Sequence, residues 1–364
     1  MPSLFDSIRL GAIHAPNRIL MAPLTRARNT RDHVPTSIMV EYYRQRAGAG
    51  LIVAEATGIS LQGLGWPYAA GIWNQAQIEG WQAITSAVRG AGGRIFTQLW
   101  HMGRVVHPSM PGRGQPVSAS ATTAPGLDHT YDGKLPHAEA RALRTDEIPA
   151  LLEDYRQAAR NAMAAGFDGA QIHAANGYLL DQFLRDSTNL RNDEYGGSAE
   201  NRLRLLIEVT QAVADTVGAD RTSVRISPNE DRRGVRDNNP HQLFEVAAAA
   251  LSKIGIAFLD VREPGAEGTF SQAQHAPVAP HIRRVFAGPL VLNSDYDRDS
   301  AQRALDTGAA DAIGFGRPFI ANADLPHRLA AGIPLVPDDM TTWYTQGKEG
   351  YLDYPPSPAS DSRR

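Results

Sequence analysis

The sequence contains no cysteine. Disulfides, cysteine nucleophiles, iron–sulfur clusters and thiolate metal sites are excluded together. Lysine is scarce as well. Lys134, Lys253 and Lys348 stand beside 33 arginines. Schiff-base chemistry needs a partly buried lysine at the reacting edge, so any such reading must use one of these three. No stretch reaches the roughly 18 unbroken apolar residues that a membrane helix requires. The first residues, Met1-Pro2-Ser3-Leu4-Phe5-Asp6-Ser7, lack a basic region followed by an apolar one. No signal peptide is expected, and the cytoplasm is the expected location. A formal net charge of −3 gives no grip on nucleic acid or a membrane surface.

What is present fits one large barrel or two ordinary domains: 364 residues, 42% of them hydrophobic. Eight short apolar runs recur, at Arg18–Ala22, Leu51–Ala56, Arg94–Trp100, Gly169–Ala174, Ser223–Ser227, Ala257–Val261, Pro289–Asn293 and Ala310–Phe315. They are near-continuous rather than alternating, as parallel strands covered on both faces should be. Segments of helical spacing separate them. Ser198 opens one, and Gly166, Gly218, Gly255 and Gly308 close four. Strand then helix, eight times, predicts an α/β fold of the (β/α)8 TIM-barrel type. A doubly wound open sheet would more often carry a glycine-rich phosphate turn after its first strand, and none follows Ala22. One domain is expected over residues 1–354. A hairpin around Gly11 should plug the barrel bottom. Residues 101–144, rich in Gly, Pro and His, form an excursion long enough to be a lid. Residues 355–364 are expected to fray.

Catalytic residues of such barrels sit at the carboxyl ends of the strands. The first strand delivers Pro23-Leu24-Thr25 there, and the second Glu55-Ala56-Thr57. The third delivers Gln98 and Trp100, and the fourth His173, Asn176 and Tyr178. The fifth delivers Arg225 and Ser227, the sixth Arg262, the seventh Asn293 and Ser294, and the eighth Gly314-Phe315-Gly316-Arg317. No strand end carries a lysine, and His173 lacks partners at metal-ligand spacing, so no metal is expected. The set consists of hydrogen-bond donors, which suits the rim of a flat, polar heterocycle. Gly316 and Arg317 suit a phosphate placed near strands seven and eight. A lyase or isomerase acting on a sugar phosphate stays open, with His173 as base and Glu55 as its only carboxylate at a strand end.

In this order the chain also carries Ala22-Pro23-Leu24-Thr25-Arg26, Gln98-Leu99-Trp100-His101-x-Gly103-Arg104 and His173-Ala-Ala-Asn176-Gly-Tyr178-Leu-Leu-Asp181-Gln182-Phe183-Leu184. Asn189-x-Arg191-x-Asp193-x-Tyr195-Gly196-Gly197-Ser198, Gly314-Phe-Gly-Arg317 and Gly350-Tyr351-x-Asp353-Tyr354-Pro355 follow. Over nearly its whole length it resembles the old yellow enzyme family of flavin-dependent ene-reductases. Thr25 stands where a thermophile-like branch has cysteine.

The resemblance implies bound FMN, reduced by NADPH or NADH. It places Pro23, Leu24, Thr25, Ala56, Gln98 and Arg225 at the flavin ring, and Asn293, Ser294, Gly316 and Arg317 at the phosphate. It makes His173 and Asn176 the grip on a substrate carbonyl and Tyr178 the proton donor, with Trp66, Trp100 and Tyr351 as substrate contacts. The implied reaction reduces the activated C=C bond of unsaturated carbonyls, maleimides or nitroalkenes. The alternative is nitrate-ester or nitroaromatic reduction by the same flavin. A monomer or small homo-oligomer is expected. Asp295, which would repel a phosphate, is expected to turn away, toward Arg298. Glu263–Ser271 matches no motif.

Overall fold

Eight parallel strands close on themselves in the computed structural model, which describes residues 1–357. They run Ile19–Met21, Leu51–Gly58, Ile95–Trp100, Gly169–Ala174, Thr222–Ile226, Phe258–Arg262, Leu290–Asn293 and Ala312–Phe315. The first strand pairs with the last, Ile313 opposite Ile19, and with the second, Leu20 opposite Leu51. That double pairing closes the barrel.

The near-continuous apolar character of the strands has a plain cause. Leu20, Leu51, Val53, Phe96, Phe258 and Val291 share the barrel interior. Ile19, Met21, Ile52, Ala54 and Ile95 join the larger core beneath the helices. Side chains alternate between the faces, and both faces are buried. The predicted plug is present. Ile8–Leu10 and Ile13–Ala15 form an antiparallel hairpin, and Leu10, Ile13 and Ala15 pack into the interior cluster. Gly11 turns it with φ +58°, and a Cβ there would stand 2.1 Å from the Asp220 carbonyl oxygen.

The helices begin and end where their caps dictate. Asn74 caps Gln75–Gly90, Ser198 caps Ala199–Val217 and Asn239 caps Pro240–Ile254, each accepting from a backbone N–H of the first turn. Gly166, Gly218, Gly255 and Gly308 all follow helices with positive φ. Short helices Leu179–Leu184 and Pro318–Ala321 were not foreseen. Both lie directly after strands, where the sequence reads as turn.

Two expectations need correction. The excursion over 101–144 is ordered by a hairpin, Leu127–Thr130 with Gly133–Pro136. It also pairs Val117–Ser118 with Arg141–Ala142. Met102, Val105, Val106 and Ala124 pack beside Trp100 and Tyr178, and none of its residues lines the main cavity. It buttresses the cavity wall rather than covering the mouth. The tail is the second correction. The Pro355 carbonyl accepts from Arg328, and the Ser357 backbone N–H donates to Asp324, so these residues are docked. The rest of the expected fray, 358–364, lies outside the described residues.

Candidate active site

A cavity of about 510 Å³ opens at the carboxyl ends of the strands, within the size range of small-molecule sites. Its walls include Pro23, Leu24, Thr25, Ala56, Gln98, Arg225, Asn293, Ser294, Gly316 and Arg317. They also include His173, Asn176, Tyr178, Trp66 and Trp100. The strand-end inventory thus converges on one space. Tyr351 does not. It is buried and stacked on Tyr42, ring centroids 4.0 Å apart, behind the wall. Glu55 is also turned away, toward Asn29 and Tyr43. That removes the carboxylate that the sequence offered to a lyase. Among the described residues no group of three His, Asp or Glu could hold a metal.

The turn after the fourth strand sets three side chains. Asn176 and Gly177 both take left-handed φ, +60° and +77°. A Cβ on Gly177 would stand 2.6 Å from the Arg232 carbonyl oxygen, so only glycine fits without displacing backbone. The Asn176 N–H donates to Ser227 Oγ at 2.8 Å, and the Gly177 N–H to Asp181 Oδ2 at 2.8 Å. Asp181 is held in turn by buried Arg185 at 2.9 Å. Gln182 ties this turn to the excursion: its Nε2 donates to the Gly177 carbonyl, and its Oε1 accepts from the Arg104 N–H and Ser118 Oγ.

Each of the three is thereby defined chemically. Arg262 Nη1 lies 3.3 Å from Asn176 Oδ1. Arginine only donates, so this orientation leaves the Asn176 amide N–H groups for another acceptor. Burial, followed by Arg225, Arg233 and Arg262, pushes the His173 imidazole well below its ordinary pKa. It is neutral at pH 7, with one N–H to offer, and its Nδ1 is buried with no hydrogen-bond partner among the described residues. Tyr178 lies edge-on to Trp100, centroids 4.9 Å apart, and beneath the Arg233 guanidinium at 4.5 Å.

The opposite side is a chain of buried polar groups. Gln98 Nε2 donates to Gln171 Oε1 at 2.8 Å, and Gln171 Nε2 to Asp260 Oδ2 at 3.3 Å. Arg225 donates to the same Asp260 oxygen at 2.8 Å and to Asn293 Oδ1 at 3.2 Å. Asn293 Nδ2 closes onto the Gly314 carbonyl at 2.7 Å. A Cβ on Gly314 would stand 2.8 Å from that Asn293 nitrogen. Ser294 and Asp295 follow with φ +115° and +52°. Asp295 accepts from the Thr269 N–H at 3.2 Å and from the Thr269 hydroxyl. Its partner is therefore Thr269, across the pocket, and not the expected Arg298. Arg317 is bound to Asp338 at 3.1 Å and lies over the Trp343 ring.

Sequence reasoning missed the outer wall. Arg232, Arg233, Thr269, Phe270, Trp343 and Tyr344 come from long segments without periodicity. The C-terminal segment is clamped by Arg26 and Arg28. Arg26 donates to the carbonyls of Trp343 and Gly350, and Arg28 to those of Thr342, Trp343 and Glu349. The paired arginines after Thr25 were the available signal.

These residues fit the group that the resemblance implies. An amide and a guanidinium are pre-set at one end, and glycine backbone and Arg317 stand at the other. The orphaned His173 nitrogen shares the cavity with both.

A sequence profile of the NADH:flavin oxidoreductase / NADH oxidase family matches residues 3–336. The chain is 43% identical over 365 residues to chanoclavine-I aldehyde reductase of Penicillium roqueforti, covering 97% of this chain and 96% of that protein. The solved structure of an old yellow enzyme homologue from Zymomonas mobilis superposes with TM-score 0.96 at 62% identity, covering 97% of this chain and 99% of that one. Morphinone reductase in complex with tetrahydroNAD superposes with TM-score 0.94 at 43% identity, covering both chains fully.

Proposed function

Because the chain belongs to the NADH:flavin oxidoreductase / NADH oxidase family, and is an FMN-dependent, NAD(P)H-consuming oxidoreductase, we propose that it reduces activated C=C bonds. The substrates are α,β-unsaturated carbonyls, maleimides or nitroalkenes. One observation carries the reading: a neutral His173, an amide-presenting Asn176 and the Tyr178 phenol share a cavity with the donors suited to a flavin.

The roles follow from the chemistry of each group. Pro23, Leu24, Thr25, Ala56, Gln98 and Arg225 hold the flavin ring. Asn293, Ser294, Gly316 and Arg317 hold its phosphate. When bound, FMN supplies a hydride equivalent taken from NADPH or NADH. His173 and Asn176 grip the substrate's carbonyl oxygen and draw electron density from the conjugated alkene, leaving its β-carbon open to hydride. Donors aimed at such developing charge each contribute on the order of 10²–10³ in rate. Tyr178 passes its proton to the α-carbon as general acid. Trp66 and Trp100 shape the substrate space. Nicotinamide and alkene use the cavity in turn, so the kinetics are ping-pong.

The test is a two-stage stopped-flow measurement. The purified yellow protein is reduced with NADPH or NADH, then mixed with cyclohexenone, a maleimide, a nitroalkene and a nitrate ester. Fast reoxidation by the alkenes supports the reading. Reoxidation by the nitrate ester alone makes it a nitrate-ester reductase. Protein that is colourless and stays so with added FMN overturns both.

A further inference from the structure

Three guanidiniums line the outer edge of the cavity, and the oxygen grip and proton donor do not account for them. Arg262 is fully engaged: it binds Glu230, Asn176 Oδ1 and Ser271 Oγ. Arg233 gives one N–H to the Asn176 carbonyl at 2.8 Å and covers the Tyr178 ring. Arg232 has only Glu230 as an ionic partner among the described residues, 4.0 Å away.

Glu230 is buried and already claimed by Arg262, so one carboxylate serves two guanidiniums. Asp128, Asp231 and Asp295 also lie near this edge, and none of them forms an ion pair with Arg232 or Arg233 among the described residues. Asp295 is held by Thr269, and Asp231 faces His275 at 3.1 Å. Arg232 and Arg233 thus line the cavity without a close carboxylate: among the described residues Arg233 has no ion pair, and Arg232 has only Glu230, 4.0 Å away. Burial lowers the proton affinity of both Arg232 and Arg262, with Arg233 adding to it at Arg232 and Glu230 opposing it at both.

The surface beside these cations is aromatic. Arg232 lies over Phe270, 4.5 Å from its centroid. Trp66 and Tyr344 face each other at 5.2 Å. A guanidinium fork matches a carboxylate or phosphate bidentately, and a half-buried site weakens competition from water.

We propose that Arg232 and Arg233 form a seat for an anionic oxygen group, a carboxylate or a phosphate, at the outer end of the cavity. The group belongs either to the alkene substrate, as a carboxylate on an apolar body, or to the phosphates of the nicotinamide dinucleotide. The substrate arm rests on the ene-reductase reading above. The seat itself does not.

The experiment compares the holoenzyme with Arg232→Gln and Arg232→Lys. Benzoate and inorganic phosphate are titrated against benzyl alcohol, reading the shift of the flavin absorption band. The wild type should bind the anions at least tenfold more tightly than Arg232→Gln does, with Arg232→Lys in between. In turnover, the ratio of KM values for an enone acid over its methyl ester should rise about tenfold in Arg232→Gln if the alkene carries the anion. If the nicotinamide carries it, the ratio stays constant. The KM for NADPH or NADH in flavin reduction rises instead. Anion affinity unchanged in Arg232→Gln, with a native flavin spectrum, overturns the proposal. Wild-type protein that binds benzoate through Arg232 but reduces neither acid nor ester keeps the seat and sinks the reductase reading.

Discussion

Tyr178 meets His173 edge to face, their ring centroids 5.0 Å apart and their planes 74° from parallel. The phenol is thus fixed beside the imidazole proposed to grip the substrate oxygen, and the proposal gives it a separate task. In Tyr178→Phe the ring contacts survive and only the proton is lost. Flavin reduction by NADPH or NADH is expected to persist. Reduction of weakly activated enones should fall about 10²–10⁴-fold. Transient kinetics of the two half-reactions measure this, and equal loss in both would remove Tyr178 as proton donor.

Arg225 and Asp260 form a buried ion pair. Burial raises the proton affinity of the Asp260 carboxyl and Arg225 opposes it. Asp260→Asn leaves the guanidinium without its counter-charge and loosens Gln171, hence Gln98. Losing one partner of a buried pair costs about 3–5 kcal/mol. A lowered urea midpoint is expected, together with FMN lost on dialysis. An unchanged midpoint would show that Arg225 finds another partner.

The Arg317 side chain is a third exposed and shared with Asp338. Arg317→Ala should raise the dissociation constant for FMN about tenfold, through loss of a charge-assisted contact to its phosphate. Fluorescence of FMN released into dialysate reports this. Full retention at high ionic strength would place the phosphate elsewhere.

Burial raises the Glu55 carboxyl to about 7, against donation from Asn29 and Tyr43. Its folded-state value lies above its unfolded one. The stability it contributes is therefore full below about 4.5 and lost as pH rises through 7. Burial raises Asp128 to about 7 as well, so two carboxyls titrate in this window. Glu55→Gln should flatten the fall in melting temperature between pH 5 and 8 by about half. At pH 8 it should be more stable than the wild type by up to about 3 kcal/mol. Parallel curves for variant and wild type would contradict the burial effect.

All eight strands were legible within about two residues, because double-sided burial forces an unbroken apolar run. The inner site was legible for a related reason: a polar side chain ending such a run has nowhere to go but the barrel mouth. The outer wall was not. Phe270 and Tyr344 sit on segments whose path is set by distant contacts, such as Arg26 and Arg28 pinning residues 342–350. The same clamp explains Tyr351, which the sequence placed at the substrate and the fold lays against Tyr42. Asp295 shows the converse error. Arg298 is near in sequence, but the loop after the sixth strand brings Thr269 nearer in space.

The clamp by Arg26 and Arg28 also orders events in time. The first strand closes against the last, and Trp343 and Tyr344 complete a cavity that begins at Ala22. A chain growing on the ribosome therefore owns no finished pocket until residues near 350 have emerged. The strand-end lining and the outer wall of the cavity are completed together, once the segment around Trp343 and Tyr344 is clamped in place.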